Sequence, residues 1–165
     1  MRGVCFLILV ALLFFPIIVN SQDECSNAPL LPMEMYSTCG LMALENVDLG
    51  LATASSQAPN PTCGNYSSSS NDMWYRIVVP AGINALAFHA FNSNVTPMFN
   101  SSKPSLAVYR GTSCTALTLL ACFESDGGFM ENAEIRWEQV SALNPGETLY
   151  IRIWDENNLS QKLFL

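Results

Sequence analysis

Basic residues are scarce in this chain: 7 lysines and arginines stand against 14 acids in 165 residues, for a formal charge of −7. A nucleic-acid surface needs clustered cations to neutralise phosphates, so no partner of that class is expected. Histidine occurs once, as His89, and no Cys-x-x-Cys pair is present, which removes the raw material for most zinc sites and for imidazole catalysis. The Gly-x-Ser-x-Gly elbow, the phosphate-binding loop and the His-Glu-x-x-His motif are all missing, and no spacing of carboxylates singles out a glycosidase pair. The chain reads as non-catalytic. Sustained 3.6-residue apolar periodicity is absent too; Leu41 to Leu51 comes nearest but is short and poorly capped, so helix is a minor component.

The one long apolar run lies at the start. Arg2 supplies a positive charge, and Val4 to Val19 follows, interrupted only by Pro16. That run falls short of the roughly 20 residues a membrane-crossing helix needs, so residues 1–21 read as a secretory signal peptide with cleavage before Gln22. No transmembrane anchor is expected to remain, and the mature chain, residues 22–165, is read as one domain, secreted or held at the cell surface. Cleavage removes Arg2 alone among the charges and leaves 14 acids against 6 basic residues.

Export gives the cysteines a meaning. Outside the cytoplasm thiols are usually oxidised, and five remain after cleavage: Cys25, Cys39, Cys63, Cys114 and Cys122. Cys114 and Cys122 flank a span short enough for a bridge. Cys39 with Cys63 would close a Ser/Thr/Pro/Asn-rich segment that has little apolar pattern to hold it. Cys25 is then left over.

The remaining sequence alternates. Asp72 to Pro80, Ile83 to Phe91, Ser105 to Arg110, Leu117 to Phe123, Ala133 to Val140 and Thr148 to Trp154 read as strands, and Leu163 opens another. In the fifth of these Ala133, Ile135 and Trp137 oppose Glu134, Arg136 and Glu138, the pattern of one buried and one wet face. Asn144-Pro145-Gly146-Glu147 is a turn, because Pro fixes its first corner and Gly accepts the positive φ of its second. Short strands between Gly, Pro, Asn and Ser clusters predict an all-β fold, an antiparallel β-sandwich or jelly roll braced by disulfides.

Two groups of residues are candidate binding sites. Trp74 and Arg76 share one strand parity, and Tyr150, Arg152 and Trp154 share another; on neighbouring strands they would form an aromatic and guanidinium platform for sugar rings or peptide side chains. Glu124, Asp126, Asp155 and Glu156 follow two strands, and their hard oxygens make a candidate calcium site if both loops fall at one end of the sandwich. No other cofactor is implied. Four Asn-x-Ser/Thr acceptor patterns, at Asn65, Asn94, Asn100 and Asn158, matter only in a host with N-glycosylation machinery.

The ordered series Asp23-Glu24-Cys25-Ser26-Asn27-Ala28, Pro61-Thr62-Cys63-Gly64, Asn71-Asp72-Met73-Trp74-Tyr75-Arg76, Leu106-Ala107-Val108-Tyr109-Arg110-Gly111-Thr112-Ser113-Cys114 and Leu143-Asn144-Pro145-Gly146-Glu147 resembles a secreted β-sandwich module. That module is found in exported proteins of Bacteroidota-type bacteria, often upstream of type IX secretion sorting domains, and is similar to pre-peptidase C-terminal and CUB-like jelly rolls. The resemblance implies an accessory role in binding or adhesion at an extracellular glycan or protein surface. The alternative it implies is a structural domain of a larger secreted peptidase or adhesin with no ligand of its own. Members commonly finish with a Phe-rich strand carrying one more cysteine, so this chain is expected to lack its last strand, which would leave Cys25 without a partner.

Overall fold

The computed structural model describes residues 22–31, 46–82, 85–92, 102–125, 132–138, 143–158 and 162–164. Eight strands run through them: β1 (Asn46–Asp48), β2 (Asp72–Val78), β3 (Ala85–Asn92), β4 (Pro104–Arg110), β5 (Thr118–Glu124), β6 (Asn132–Glu138), β7 (Thr148–Asp155) and β8 (Lys162–Phe164). They form two antiparallel four-stranded sheets, in the orders β1-β8-β3-β6 and β2-β7-β4-β5. Every connection except the β4–β5 hairpin crosses from one sheet to the other, which is the path of a jelly roll. The all-β sandwich expected from alternation is the observed fold. The signal-peptide reading of residues 1–21 lies outside the described residues.

The strands form because their alternation gives each sheet an apolar face to hide. Met73, Tyr75 and Ile77 on β2, Leu106 and Val108 on β4, and Leu149, Ile151 and Ile153 on β7 point inward. Val47 of β1 and Leu86, Phe88 and Ala90 of β3 meet them from the other sheet, so the core lies between the layers. β6 is set opposite Leu86, Phe88 and Ala90 through Trp137, Ile135 and Ala133 in register; which of its side chains are wet lies outside the described residues. The Asn144–Glu147 turn is present as read: Gly146 has φ +82 and the Glu147 amide donates to the Asn144 carbonyl at 3.1 Å.

Within Leu41 to Leu51, the nearest thing to a helix in the sequence, the described residues form β1 and a 3₁₀ turn, Leu49–Leu51, capped by the Asp48 carboxylate on the Gly50 amide at 3.0 Å. Pairing with β8, more than a hundred residues away, decides the conformation of these three strand residues. The strand expected from Leu163 onward is β8, which joins β1 and β3.

The disulfides correct the expected pairing. Cys25 bonds to Cys114 and Cys63 to Cys122, so neither Cys114–Cys122 nor Cys39–Cys63 forms, and Cys25 is not left over. The reason is strand geometry. Cys122 lies well along β5 while Cys114 precedes it, and at about 3.3 Å of rise per residue Thr118 to Cys122 alone span about 13 Å, well beyond the roughly 7 Å Cα limit for a bridge. Cys39 lies outside the described residues.

Candidate functional site

The face of the β2-β7-β4-β5 sheet that points away from the core carries the five residues expected to bind ligand. Their registers place them in rows across the sheet. Asp72 lies opposite Trp154, Trp74 opposite Arg152, and Arg76 opposite Tyr150. The rows continue from Trp154 to Ser105 and Glu124, and from Arg152 to Ala107 and Cys122. The sequence therefore placed these side chains on one face correctly.

Their accessibility is the correction. Trp74, Arg152 and Trp154 are each 0% exposed, so no platform of five residues is open to ligand. Two irregular segments cover them. Residues 22–31 run along the edge of β2, with the Trp74 amide donating to the Gln22 carbonyl, the Arg76 amide to Pro29, and the Leu31 amide back to the Arg76 carbonyl. Residues 52–66 lie across the centre, pinned by Cys63–Cys122 and by the Asp23 carboxylate, which accepts from the Thr53 amide and hydroxyl. Neither segment has the periodicity that would announce a covering layer.

Arg152 organises what lies beneath. Its Nε donates to the Asp72 carboxylate in a fully buried ion pair. Nη1 donates to the Pro59 carbonyl at 3.3 Å, and Nη2 to the Ser55 hydroxyl at 2.8 Å and to the Tyr66 phenol oxygen. The guanidinium carbon lies 3.9 Å from the Tyr66 ring centroid and 5.0 Å from that of Trp74. Ser55 in turn donates its amide to Asp72 at 2.8 Å and its hydroxyl at 2.9 Å, while accepting from the Trp74 indole at 2.9 Å. Tyr109 donates to Pro59 and Trp154 to the Gly64 carbonyl. A buried charge is tolerated only when paired and hydrogen-bonded, and this network meets that condition through the 52–66 segment.

The electrostatics follow from burial. Desolvation raises the Asp72 carboxyl above its ordinary value, and Arg152 and the Ser55 hydrogen bonds oppose that shift without cancelling it. Burial first, and the Asp72 charge second, push the Tyr66 phenol up to about 12. Tyr109 is raised as well, again by burial. The phenols stay neutral, Tyr66 as ring and acceptor for Arg152 and Tyr109 as donor to Pro59.

Asp72, Ser55, Tyr66 and Gly64 were missed as members of this cluster. For Asp72 a signal existed: it is the acid two residues before Trp74 on the same parity, within reach of a strand arginine that needs a counter-ion. Gly64 shows why its position admits no side chain, since an added Cβ would lie 2.5 Å from the Ser105 hydroxyl and 2.7 Å from the Trp154 ring, at φ +69.

The outer end of the same face is open. Arg76 is exposed and Tyr150 half-buried, beside Val78 at 44% and Leu30 at 56% exposure. Arg76 Nε donates to the Ala28 carbonyl at 3.0 Å, which fixes the guanidinium near residues 22–31, the strap, without covering it.

Of the residues named for calcium, Glu124 and Asp155, with Glu156 beside it, fall at one end of the sheet, flanking the start of β4. They do not converge on a shared point. Glu124 accepts from the Gly64 amide at 2.9 Å, Glu156 from the Ser105 hydroxyl at 2.7 Å, and Asp155, 1% exposed, from the Ser102 hydroxyl and the Lys103 and Asn157 amides. Among the described residues no three His, Cys, Asp or Glu side chains form a metal-binding group. Asp126 lies outside the described residues. His89 sits on β3 of the other sheet, opposite Glu134 in register.

Two disulfides fit an oxidising compartment, and no helix among the described residues is long and apolar enough to cross a membrane. Compared with known proteins, the chain matches no family model, no curated protein and no solved structure.

Proposed function

We propose that this protein is a non-catalytic extracellular binding or adhesion module that uses the open end of the β2–β7 outer face, Arg76, Val78 and Tyr150 with Leu30 of the strap, to contact a glycan or protein surface. The observation that supports the reading most is the contrast between neighbouring rows of one sheet face: Arg76 and Tyr150 stay reachable while Trp74, Arg152 and Trp154 are covered. A guanidinium beside a half-buried phenol and two exposed aliphatic side chains is a mixed surface suited to stacking with polar edges. The resemblance to secreted jelly-roll modules points the same way.

A glycan array followed by calorimetry on the hits tests the proposal. Saturable binding that Tyr150→Ala or Arg76→Ala weakens tenfold or more, about 1.4 kcal/mol, supports it. Binding unaffected by both substitutions would place the contact elsewhere. A second reading is favoured by the completeness of the Arg152 network, in which Nε, Nη1 and Nη2 each donate to a protein acceptor. It is that the domain is a structural accessory of a larger exported protein. Silence across glycan and protein panels by a folded, disulfide-intact sample selects that reading.

A further inference from the structure

The two disulfides hold down different parts of the cover, and they differ in how a reductant reaches them. Cys25 is 1% exposed, whereas Cys63 and Cys122 are both partly exposed. Cys63 also lines an open groove of about 340 Å³ together with Pro61, Thr62, Gly64, Tyr66 and Glu124. We propose that Cys63–Cys122 is a thiol–disulfide exchange site, opened by a dithiol ahead of Cys25–Cys114, and that opening it releases residues 61–66 from the outer face and uncovers Trp154.

Access and leaving-group chemistry both carry the order of reduction. A thiolate of the dithiol enters the groove and bonds to the Cys63 sulfur as the Cys63–Cys122 bond breaks; the electron pair leaves on Cys122, which takes a proton from solvent. The second thiol of the reductant then closes onto the mixed disulfide, frees Cys63 as a thiol and leaves the reductant oxidised by two electrons. At the other bridge, attack on partly exposed Cys114 must expel Cys25 as a thiolate into an apolar cluster with Ala28 and Ala58, where desolvation makes it a poor leaving group. Attack on Cys25 itself is blocked by burial.

The consequence for the cover follows from what residues 61–66 touch. The Gly64 carbonyl accepts the Trp154 indole proton at 2.7 Å, the Gly64 backbone packs directly on the indole, and the Tyr66 ring meets Trp154 edge-on at 5.7 Å. Once Cys63 is cut loose, the segment is held locally by the Gly64 amide on the exposed Glu124 carboxylate and by Tyr66 on Arg152. The N-terminal strap stays tied by Cys25–Cys114.

Stepwise dithiothreitol titration of the intact oxidised protein, with alkylation and peptide mass spectrometry, tests the order; tryptophan emission and acrylamide quenching test the release. Cys63 and Cys122 are expected to label about tenfold faster than Cys25 and Cys114. Emission should shift to the red in step with that labelling, and Trp154→Phe should lose the shift. Simultaneous labelling of all four cysteines, labelling of Cys25 and Cys114 first, or full labelling of Cys63 and Cys122 with tryptophan unchanged each overturn the proposal. The Cys63→Ser/Cys122→Ser variant guards against collapse under reductant: kept in oxidant, it should retain the strand circular dichroism and show a quenchable tryptophan that adding Trp154→Phe removes. Quenching that survives Trp154→Phe counts against it.

Discussion

The two faces of the β2-β7-β4-β5 sheet are built by different physics. Inward, Ile77, Leu106, Val108, Ile151 and Ile153 are buried against the second sheet, and apolar area removed from water holds the layers together. Outward, a charged pair, two indoles and the Tyr109 phenol lie under segments whose regular structure is limited to the 3₁₀ turn Cys25–Asn27. That face buries a separate apolar cluster, Cys25, Ala28 and Ala58 with Trp74, Tyr109 and Trp154, and adds covalent and ionic ties to it. Strands thus supply the fold, and cross-links supply the cover. The comparison predicts that the outer face fails through a few specific bonds, while the inner face yields gradually to many small losses.

The largest effect is expected from the Cys25–Cys114 bridge. Its cysteines are 89 residues apart, and Cys63 and Cys122 are 59 apart. On a chain-entropy estimate each closure stabilises by roughly 4 to 5 kcal/mol, the longer loop by slightly more. Cys25→Ala/Cys114→Ala should lower the denaturant midpoint accordingly. Midpoints unchanged after its removal would show that the strap is held by its backbone pairing to β2 alone.

Asp72 comes next. Asp72→Asn leaves the Arg152 charge buried without its counter-ion, which should cost about 3 to 5 kcal/mol in chemical unfolding. Replacing both partners by apolar residues, Asp72→Leu with Arg152→Met, should recover much of that loss, because the penalty belongs to an unpaired charge more than to a missing pair. Truncation of Ile151 to Ala on the opposite face is expected to fall in the same range, about 2 to 5 kcal/mol, with no such rescue. Equal rescue on both faces would erase the distinction between them.

The difference between the faces also explains what was legible in the sequence. Strict alternation in Asp72–Val78 and Thr148–Asp155 fixed which residues share a face, and Pro145-Gly146 fixed the turn between β6 and β7. Alternation says nothing about what lies over a face. The Ser, Pro and Asn of residues 52–66 look like an ordinary loop, and only tertiary contacts make Ser55 the acceptor for both Trp74 and Arg152. β1 was hidden for a related reason, since three residues have no period and take their shape from β8. Disulfide pairing by nearness in sequence failed because a stiff strand separates Cys114 from Cys122 in space.

Tyr66 probes the cover at finer scale. Tyr66→Phe keeps the ring over Arg152 but removes the acceptor for one guanidinium N–H, an expected loss of about 1 to 2 kcal/mol. Its phenol, held near 12 by burial, gives a pH signature. A tyrosine whose folded value lies above its unfolded value of about 10 contributes stability that is complete below pH 10 and disappears as pH climbs toward 12. The wild-type protein should therefore lose stability through that alkaline window more steeply than Tyr66→Phe. Parallel curves would mean that the phenol is not covered in solution.

The smallest effect is expected at the end of the two central strands of the same sheet, where Arg110 and Glu147 pair at 2.9 Å with the arginine side chain 38% exposed. Burial acts to raise the Glu147 carboxyl, but hydrogen bonds from Arg110 and the Asn144 amide, with the Arg110 charge, hold it below its ordinary value. A carboxyl lowered on folding stabilises the protein above its unfolded pKa, and that contribution is lost as pH falls through the folded value. Water and salt screen a pair this exposed, so Arg110→Ala should cost about 0.2 to 1 kcal/mol near neutrality and less in high salt. Below about pH 4 the variant and the wild type should converge, because protonated Glu147 no longer distinguishes them. A loss that persists in acid would assign the effect to packing of the Arg110 stem against the sheet rather than to its charge, and would bring this rim closer in character to the apolar inner face.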